Sequence, residues 1–268
     1  MQMVFYGLLR VKNESRWISR VLRALQPLCH RILVLDDHST DPTPEIAALA
    51  GAEVIHSTFE GLDESRDKDY LQSELYRRHG PFRIGRDWAL MIDGDEALDP
   101  ASIPLLAQAV NQGSDCAYSL RILYLWNGED QIRTDGVYAR FRRPSLYPLG
   151  PVAEGFSVGR VGRGGFHCCS IPRRYFGYSR HCEAALLHFG YLDREMRLRK
   201  WDWYNSIDPH NVVEDHYRHM IQGDVDRRAC SWCAQNGREH IISIPNEKLR
   251  HAGPVVLEAY DAEIADAD

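Results

Sequence analysis

Asp93-Gly94-Asp95-Glu96 follows directly on the apolar run Trp88-Ala89-Leu90-Met91-Ile92, whose continuity reads as a strand buried on both faces. Carboxylates leaving a low-dielectric strand end together repel one another and resist ionisation unless positive charge sits between them. A divalent cation meets that need. An all-oxygen donor set suits a hard ion, Mg²⁺ or Mn²⁺, which keeps open positions for water or substrate phosphates. The motif therefore points to phosphate chemistry. Acidic residues also cap helices, and Asp99-Pro100 ahead of Ser102-Ile103-Pro104-Leu105-Leu106 marks a helix start soon afterwards. Capping uses only one of the acids.

The elements that must carry this motif alternate along the first hundred residues. Val4-Phe5-Tyr6-Gly7-Leu8-Leu9 reads as a strand, and Asn13 as the N-cap of a helix with Trp17, Ile18, Val21, Leu22 and Leu25 on one stripe. Arg31-Ile32-Leu33-Val34-Leu35 is a second strand, Asp36-Asp37-His38-Ser39-Thr40-Asp41 a polar turn, and Pro42 opens a helix that ends at Gly51. Val54-Ile55-His56 is a third strand, a charged helix follows between Asp67 and His79, and the Trp88 to Ile92 strand completes the alternation. The expected class is α/β with a parallel sheet whose right-handed crossovers gather Asn13, Asp37 and Asp95 at one edge.

Beyond Asn111-Gln112-Gly113 the texture changes. Ala117 to Trp126 and Gly136 to Phe141 read as antiparallel strands around Asn127-Gly128. Pro148 to Gly165 is glycine-rich and without periodicity. Leu192-Asp193 opens a basic, aromatic helix bearing Arg194, Arg197, Arg199 and Lys200, read as a docked surface helix with a solvated basic face, and a further helix is expected from Asn211 to Ile221.

The chain of 268 residues is 44% hydrophobic, enough for a packed core. Its formal charge of -6 argues against a nucleic-acid scaffold. No apolar run reaches the length of a transmembrane helix, and the start, Met1-Gln2-Met3-Val4-Phe5-Tyr6, reads as a core strand rather than a leader, so a cytoplasmic location is expected, with peripheral membrane contact left open. Of seven cysteines, Cys230 and Cys233 form a CxxC that His167, Cys168, Cys169, His181 and Cys182 could extend to a zinc site; the second pair is irregular, and free buried thiols are the expectation.

In order along the chain, these motifs resemble the nucleotide-sugar-dependent glycosyltransferases of family 2, which have the GT-A fold. Leu9-Arg10-Val11-Lys12-Asn13-Glu14 is similar to the first-strand signature of the bacterial branch, Leu33 to Asp41 to its second-strand motif, in which glycine more often stands at the position of His38, and Asp87 to Glu96 to its metal-binding DXD strand. Leu187-His188-Phe189-Gly190-Tyr191 looks like a later histidine motif. The resemblance implies one catalytic domain over 1–268, with a nucleotide-sugar half at 1–110, an acceptor-side half at 111–190 and a helical extension at 191–268. It implies that Asp37 contacts the base of a nucleotide, with Arg10, Lys12 and Asn13 around the same pocket and Arg66 and Lys68 as further basic contacts. It makes Asp95 the direct ligand of a divalent metal (Mn²⁺ or Mg²⁺), with Asp93 and Gly94 at ribose or a metal-bound water and His188 as a third ligand or a diphosphate contact.

Transfer of a sugar from a nucleoside diphosphate, most simply UDP, to the hydroxyl of a glycan, lipid-linked or small-molecule acceptor develops negative charge on the leaving diphosphate, which cations stabilise. Inversion at the sugar also needs a base at the acceptor hydroxyl. Many relatives carry a His-Glu pair for this, and here Phe166-His167-Cys168-Cys169 has cysteine instead; Glu154 and Glu183 are the candidate bases. A haloacid-dehalogenase-type phosphatase would want its acids near the N-terminus, and a dinucleotide oxidoreductase a Gly-x-Gly-x-x-Gly that is absent here. A nucleotidyltransferase of similar fold, or a sugar-nucleotide-binding protein that has lost its base, are the alternatives.

Overall fold

A computed structural model describes residues 2–113, 115–153, 155–156, 170–175, 178–210, 215–223, 225, 227–235 and 238–244, without the side chains of 215–216 and 228–244. Contact density divides the chain into two compact units. The first takes Met1–Leu98, Ile103–Leu120 and Arg143–Cys182, the second Asp99–Ser102, Arg121–Arg142 and Glu183–Asp268.

The opening alternation folds as its apolar periods dictate. β1 (Val4–Val11) leads to α1 (Ile18–Leu25), β2 (Cys29–Asp36) to α2 (Thr43–Leu49), and β3 (Glu53–His56) to α3 (Glu64–His79) and β4 (Asp87–Asp93). α1 buries Ile18, Val21, Leu22 and Leu25 completely, about 1.5–3 kcal/mol for each side chain removed from water. α3 is mainly polar and starts where Asp63 accepts hydrogen bonds from the Ser65 and Arg66 amides. β1 pairs in parallel with both β2 and β4, and β2 with β3. Tyr6, Leu8, Leu33, Leu35, Ala89 and Met91 from these strands pack against Leu71 and Leu75 of α3.

β5 (Glu96–Leu98), α4 (Ser102–Gln112), β6 (Ala117–Tyr124), β7 (Gln131–Arg133), β8 (Arg142–Pro148), β9 (Ser179–His188), α5 (Arg194–Ile207), β10 (Arg227–Gln235) and β11 (Arg238–Ile244) follow. The large sheet runs β3-β2-β1-β4-β8-β6-β9-β5, and β11-β10-β7 form a small one. β8 is antiparallel to β4. The result is a mixed α/β fold, mostly parallel with an antiparallel part. Its strand order reverses beside β1: β2 and β3 lie on one side, and α3 carries the chain back to β4 on the other. Such a reversal opens a crevice outside the strands' carboxyl ends.

Three elements differ from the sequence reading. Asn13 does not cap α1; its φ is +56°, and Trp17 occupies the cap position. Residues Gly136–Ala139 form a 3₁₀ turn, and the strand expected over 136–141 starts only at Arg142. Where a helix was expected between 211 and 221, the described part is a 3₁₀ turn, Asp215–Met220.

Candidate functional site

Register brings the acidic strand ends together. Arg10 stands opposite Asp93 across β1 and β4, and Val11 opposite Asp36 across β1 and β2. Beyond β2, the Asp37 amide donates to the Val11 carbonyl at 2.8 Å, which turns the second aspartate back over the end of β1. The crevice at the strand reversal is thus edged by residues of three neighbouring strands.

One side of it is a chain of alternating charges. Arg10 Nη2 lies 2.6 Å from Asp37 Oδ2 and Arg10 Nε 2.8 Å from Asp67 Oδ2. Lys12 Nζ reaches the same Asp37 oxygen at 3.5 Å, and Arg66 donates twice to Asp67 Oδ1, at 2.9 and 2.8 Å. Asp67 is fully buried and Asp37 nearly so. Burial alone would lower the Arg10 pKa, but the hydrogen bond to Asp67 and the charges of Asp37, Asp67 and Glu64 outweigh it and raise it. Arg66 also donates to the carbonyls of Glu60 and Gly61 and lies over the Phe59 ring. Lys68 is buried and pairs with Glu64 at 3.4 Å. Three cations against two carboxylates in the Lys12-Asp37-Arg10-Asp67-Arg66 chain leave a surplus suited to an anionic ligand.

Asn13 holds the neighbouring turn. Its Oδ1 accepts from the Thr40 amide at 2.7 Å, and its own amide donates to Ser39 Oγ at 2.9 Å. His38 has a φ of +55°, which accounts for a glycine being the commoner residue at that point of the motif. Its Nε2 lies 2.8 Å from the Phe59 carbonyl, a local bond that helps hold the strained backbone.

The other side is the DXD strand end. Asp95 and Glu96 are buried, at 4% and 1% exposure. Asp93 Oδ2 accepts from Arg143 Nη1 at 2.7 Å, the Asp93 amide donates to Glu96 Oε2 at 3.1 Å, and Arg143 Nη2 also donates to Glu96. A Cβ on Gly94 would fall 2.8 Å from Val11 Cγ1 and 2.9 Å from Glu14 Cγ, so only glycine lets the chain pass this close to β1. No group of three or more His, Cys, Asp or Glu among the described residues is arranged to hold a metal by itself. Asp95 and Asp93 offer the one or two carboxylates that Mg²⁺ takes when substrate phosphates and waters complete its shell, and this oxygen donor set fits such an ion.

Several candidates lie elsewhere in the fold. His188 belongs to the second unit, where its buried ring meets Tyr124 and Tyr191 edge-on with centroids 5.0 and 4.8 Å away. Glu183 is also in that unit and accepts from Arg142 Nη2 with both oxygens, at 2.9 and 3.0 Å. Glu154 lies outside the described residues, as do His167, Cys168 and Cys169 and the side chains of Cys230 and Cys233. Cys29, Cys116 and Cys182 are free thiols. Arg143 and Asp67 were not singled out from the sequence; Asp67 alone had a signal, an acid placed one residue from Arg66 at a helix start.

An α/β sheet that reverses strand order offers a ligand-binding crevice at that point, and here it is edged by clustered acids and arginines. The comparisons with known proteins narrow this. No family model matches the chain. It is 30% identical over 125 residues to an uncharacterized glycosyltransferase of Rickettsia prowazekii, a match covering 46% of this chain and 39% of that protein. A counterpart from Rickettsia typhi is 29% identical with the same coverage. The chain therefore resembles glycosyltransferases, and spans about 39% of the length of these curated relatives. Among solved structures it is similar to glucosyl-3-phosphoglycerate synthase of Mycobacterium tuberculosis in complex with Mn²⁺, uridine diphosphate and glucosyl-3-phosphoglycerate, at 23% identity and a TM-score of 0.34, covering 46% of this chain and 44% of that one. It is also similar to S. aureus TarS, at 12% identity and a TM-score of 0.40, covering 55% and 47%.

Proposed function

We propose that the chain is a metal-dependent glycosyltransferase that moves a sugar from a nucleoside diphosphate, most simply UDP, to an acceptor hydroxyl with inversion. One observation carries this reading: the buried DXD strand end stands next to the Arg10-Asp37 chain across β1 and β4, where the strand order reverses. Asp37 accepts hydrogen bonds from the base of the nucleotide while Arg10 and Lys12 fix its carboxylate. Lys12 and Arg66 supply positive charge toward the phosphates. Asp95, with Asp93, holds a divalent cation, which when bound stabilises charge on the leaving diphosphate.

In the transfer, the bond between the sugar's anomeric carbon and the diphosphate oxygen breaks, and its electron pair leaves with the diphosphate. The acceptor oxygen forms the new bond to that carbon and gives up its proton. A carboxylate at the acceptor hydroxyl receives it, Glu154 and Glu183 being the candidates read from the sequence. Burial of Asp95 and Glu96 at the strand end lowers the local dielectric, which makes each charge at the site act more strongly.

Calorimetric titration with UDP, with and without Mn²⁺, followed by a donor-hydrolysis assay on UDP-sugars, tests the reading. Binding that requires Mn²⁺ together with turnover is expected. Binding without turnover points instead to a sugar-nucleotide-binding protein, and no Mn²⁺-dependent binding of UDP defeats both.

A further inference from the structure

The second unit contains a partly open cavity of about 100 Å³, far larger than a single water needs and large enough for a phosphate-sized group. Its polar lining comes from Asn127, Arg194, Arg197 and Gln222, and its apolar lining includes Leu198 and Met220. The polar lining thus combines two guanidinium groups with two amides and contains no carboxylate.

Arg197 is the anchor. It is 4% exposed, and its guanidinium carbon lies 4.0 Å from the centroid of the Trp126 ring. Nη1 donates to the carbonyls of Tyr191 at 2.8 Å and Leu192 at 3.4 Å, and Nη2 donates to Asn127 Oδ1 at 2.8 Å. Nε has no acceptor among the described residues. None of these bonds is to a carboxylate, so the hydrogen-bond partners of this buried charge are all neutral dipoles, which is a costly arrangement. Burial pushes the guanidinium's pKa below its ordinary value; Asp193 pulls it back, and Arg133 and Arg194 push the same way as burial. Asp193 itself is occupied in capping α5, where it accepts from the Met196 amide at 2.8 Å.

The two amides complete the pattern. Asn127 Oδ1 is engaged by Arg197, and Gln222 Oε1 accepts from Arg133 Nη2 at 2.6 Å. An amide whose oxygen is held by an arginine has its N–H groups left for a ligand. Arg194 is exposed and adds a second positive charge to the lining. Asp135 does not supply negative charge to Arg197, because its carboxylate is paired with Arg133, at 2.6 Å.

We propose that this cavity is a binding site for a phosphate dianion, either free or as the monoester end of a larger molecule. Two arginines in the lining, a buried guanidinium whose Nε has no acceptor among the described residues and whose hydrogen bonds include no carboxylate, and a volume that admits the group all converge on that ligand class. The assignment does not depend on the sugar-nucleotide reading, since every residue it uses is in the second unit.

The test is calorimetric titration of the full chain with inorganic phosphate at constant ionic strength, comparing wild type with Arg194→Gln, Gln222→Glu and Arg197→Lys. Saturable binding is expected in wild type, weakened about tenfold by Arg194→Gln through loss of one charge-assisted contact and further by Gln222→Glu, which sets a carboxylate in the lining. Arg197→Lys should weaken it too. If that variant does not fold, the other two, both at exposed positions, decide the matter. Glycerol 3-phosphate provides a second arm: tighter binding than phosphate identifies a monoester as the ligand, and weaker binding the free anion. Absence of saturable phosphate binding in wild type, or equal affinities in wild type, Arg194→Gln and Gln222→Glu, overturns the proposal.

Discussion

Arg143 Nη1 lies 2.7 Å from Asp93 Oδ2, and the same guanidinium donates to the buried Glu96 through Nη2. The arginine comes from β8, whose antiparallel register with β4 is fixed by pairs such as Leu90 with Leu146, so its position is set by the sheet. Part of the repulsion within the acidic motif is therefore relieved by the protein's own cation. A metal at this end completes an electrostatic balance that Arg143 has already begun.

Replacing Arg143 by Met takes the guanidinium from Glu96, which is 1% exposed. Breaking a buried ion pair costs about 3–5 kcal/mol, and the partial exposure of Arg143 brings the expected loss to about 2–3 kcal/mol. Urea denaturation measures it. With the internal cation gone, Mn²⁺ should raise the melting temperature of Arg143→Met more than that of wild type; an equal response would mean that Arg143 and the metal do not act on the same acids.

How much of this was legible in the sequence follows from the distance over which each interaction acts. β1 to β4 could be read directly, because unbroken apolar runs ending in Asp36-Asp37 and Asp93-Gly94-Asp95-Glu96 encode both a buried strand and its exit point. Asn13 was misread because its side chain bonds forward to Thr40 across a turn, an alternative that asparagine offers equally well in a linear reading. Arg143 was invisible: it is 50 positions from Asp93, and no local period reports which strand will lie beside β4. Arg197 reads from the sequence as part of a solvated face, since a basic residue on a mainly polar helix has no mark of burial until Trp126 and Asn127 are brought against it.

Arg10 is the only described cation that bonds to both Asp37 and Asp67, through two different nitrogens. Arg10→Met should cost about 3 kcal/mol, the lower end of the range for breaking a buried pair, because Asp37 keeps Lys12 and Asp67 keeps Arg66. Arg10→Lys should recover little of this, since a single ammonium cannot span both carboxylates as the fork does. Guanidinium chloride unfolding of the three proteins gives the comparison, and a Lys variant as stable as wild type would contradict the bridging role.

Gly94→Ala tests the close passage of the DXD strand end against β1. The added methyl would sit 2.8 Å from Val11 Cγ1, on a β-branched side chain buried in a central strand, so the backbone between Asp93 and Asp95 has to move. A stability loss of about 1–3 kcal/mol is expected, as for overpacking in a core. Since displacement falls on the two aspartates, Mn²⁺-dependent UDP binding should weaken as well; unchanged affinity alongside lost stability would separate the motif from the ligand.

Glu74 supplies a pH-dependent term. Arg77, first, and then Arg78 hydrogen-bond its carboxylate at 2.6–3.1 Å and pull its pKa down to about 2. In the unfolded chain a glutamate titrates near about 4.3. The folded value is the lower one, so the pair's contribution is fully present above about pH 4.3 and is lost as pH falls through about 2. For a surface pair the amplitude stays below about 1 kcal/mol. The stability difference between wild type and Glu74→Gln, followed by denaturation from pH 5 to pH 2, should shrink across that window; a difference that grows toward low pH would have the wrong sign.

Asp95→Asn separates charge from shape at the buried end of the motif. The amide has nearly the volume of the carboxylate, so packing around a residue that is 4% exposed changes little, but a neutral oxygen is a far poorer ligand for a hard cation. Under the proposed function, Mn²⁺-dependent UDP binding should fall by about a hundredfold, equivalent to about 2.7 kcal/mol, while any metal-independent nucleotide binding through Asp37 and Arg10 persists. Calorimetry with UDP in the presence and absence of Mn²⁺ reads both quantities on one sample. A variant that keeps its Mn²⁺ response would remove Asp95 from the metal site, and loss of both modes at once would mean that the carboxylate organises the crevice itself rather than the cation.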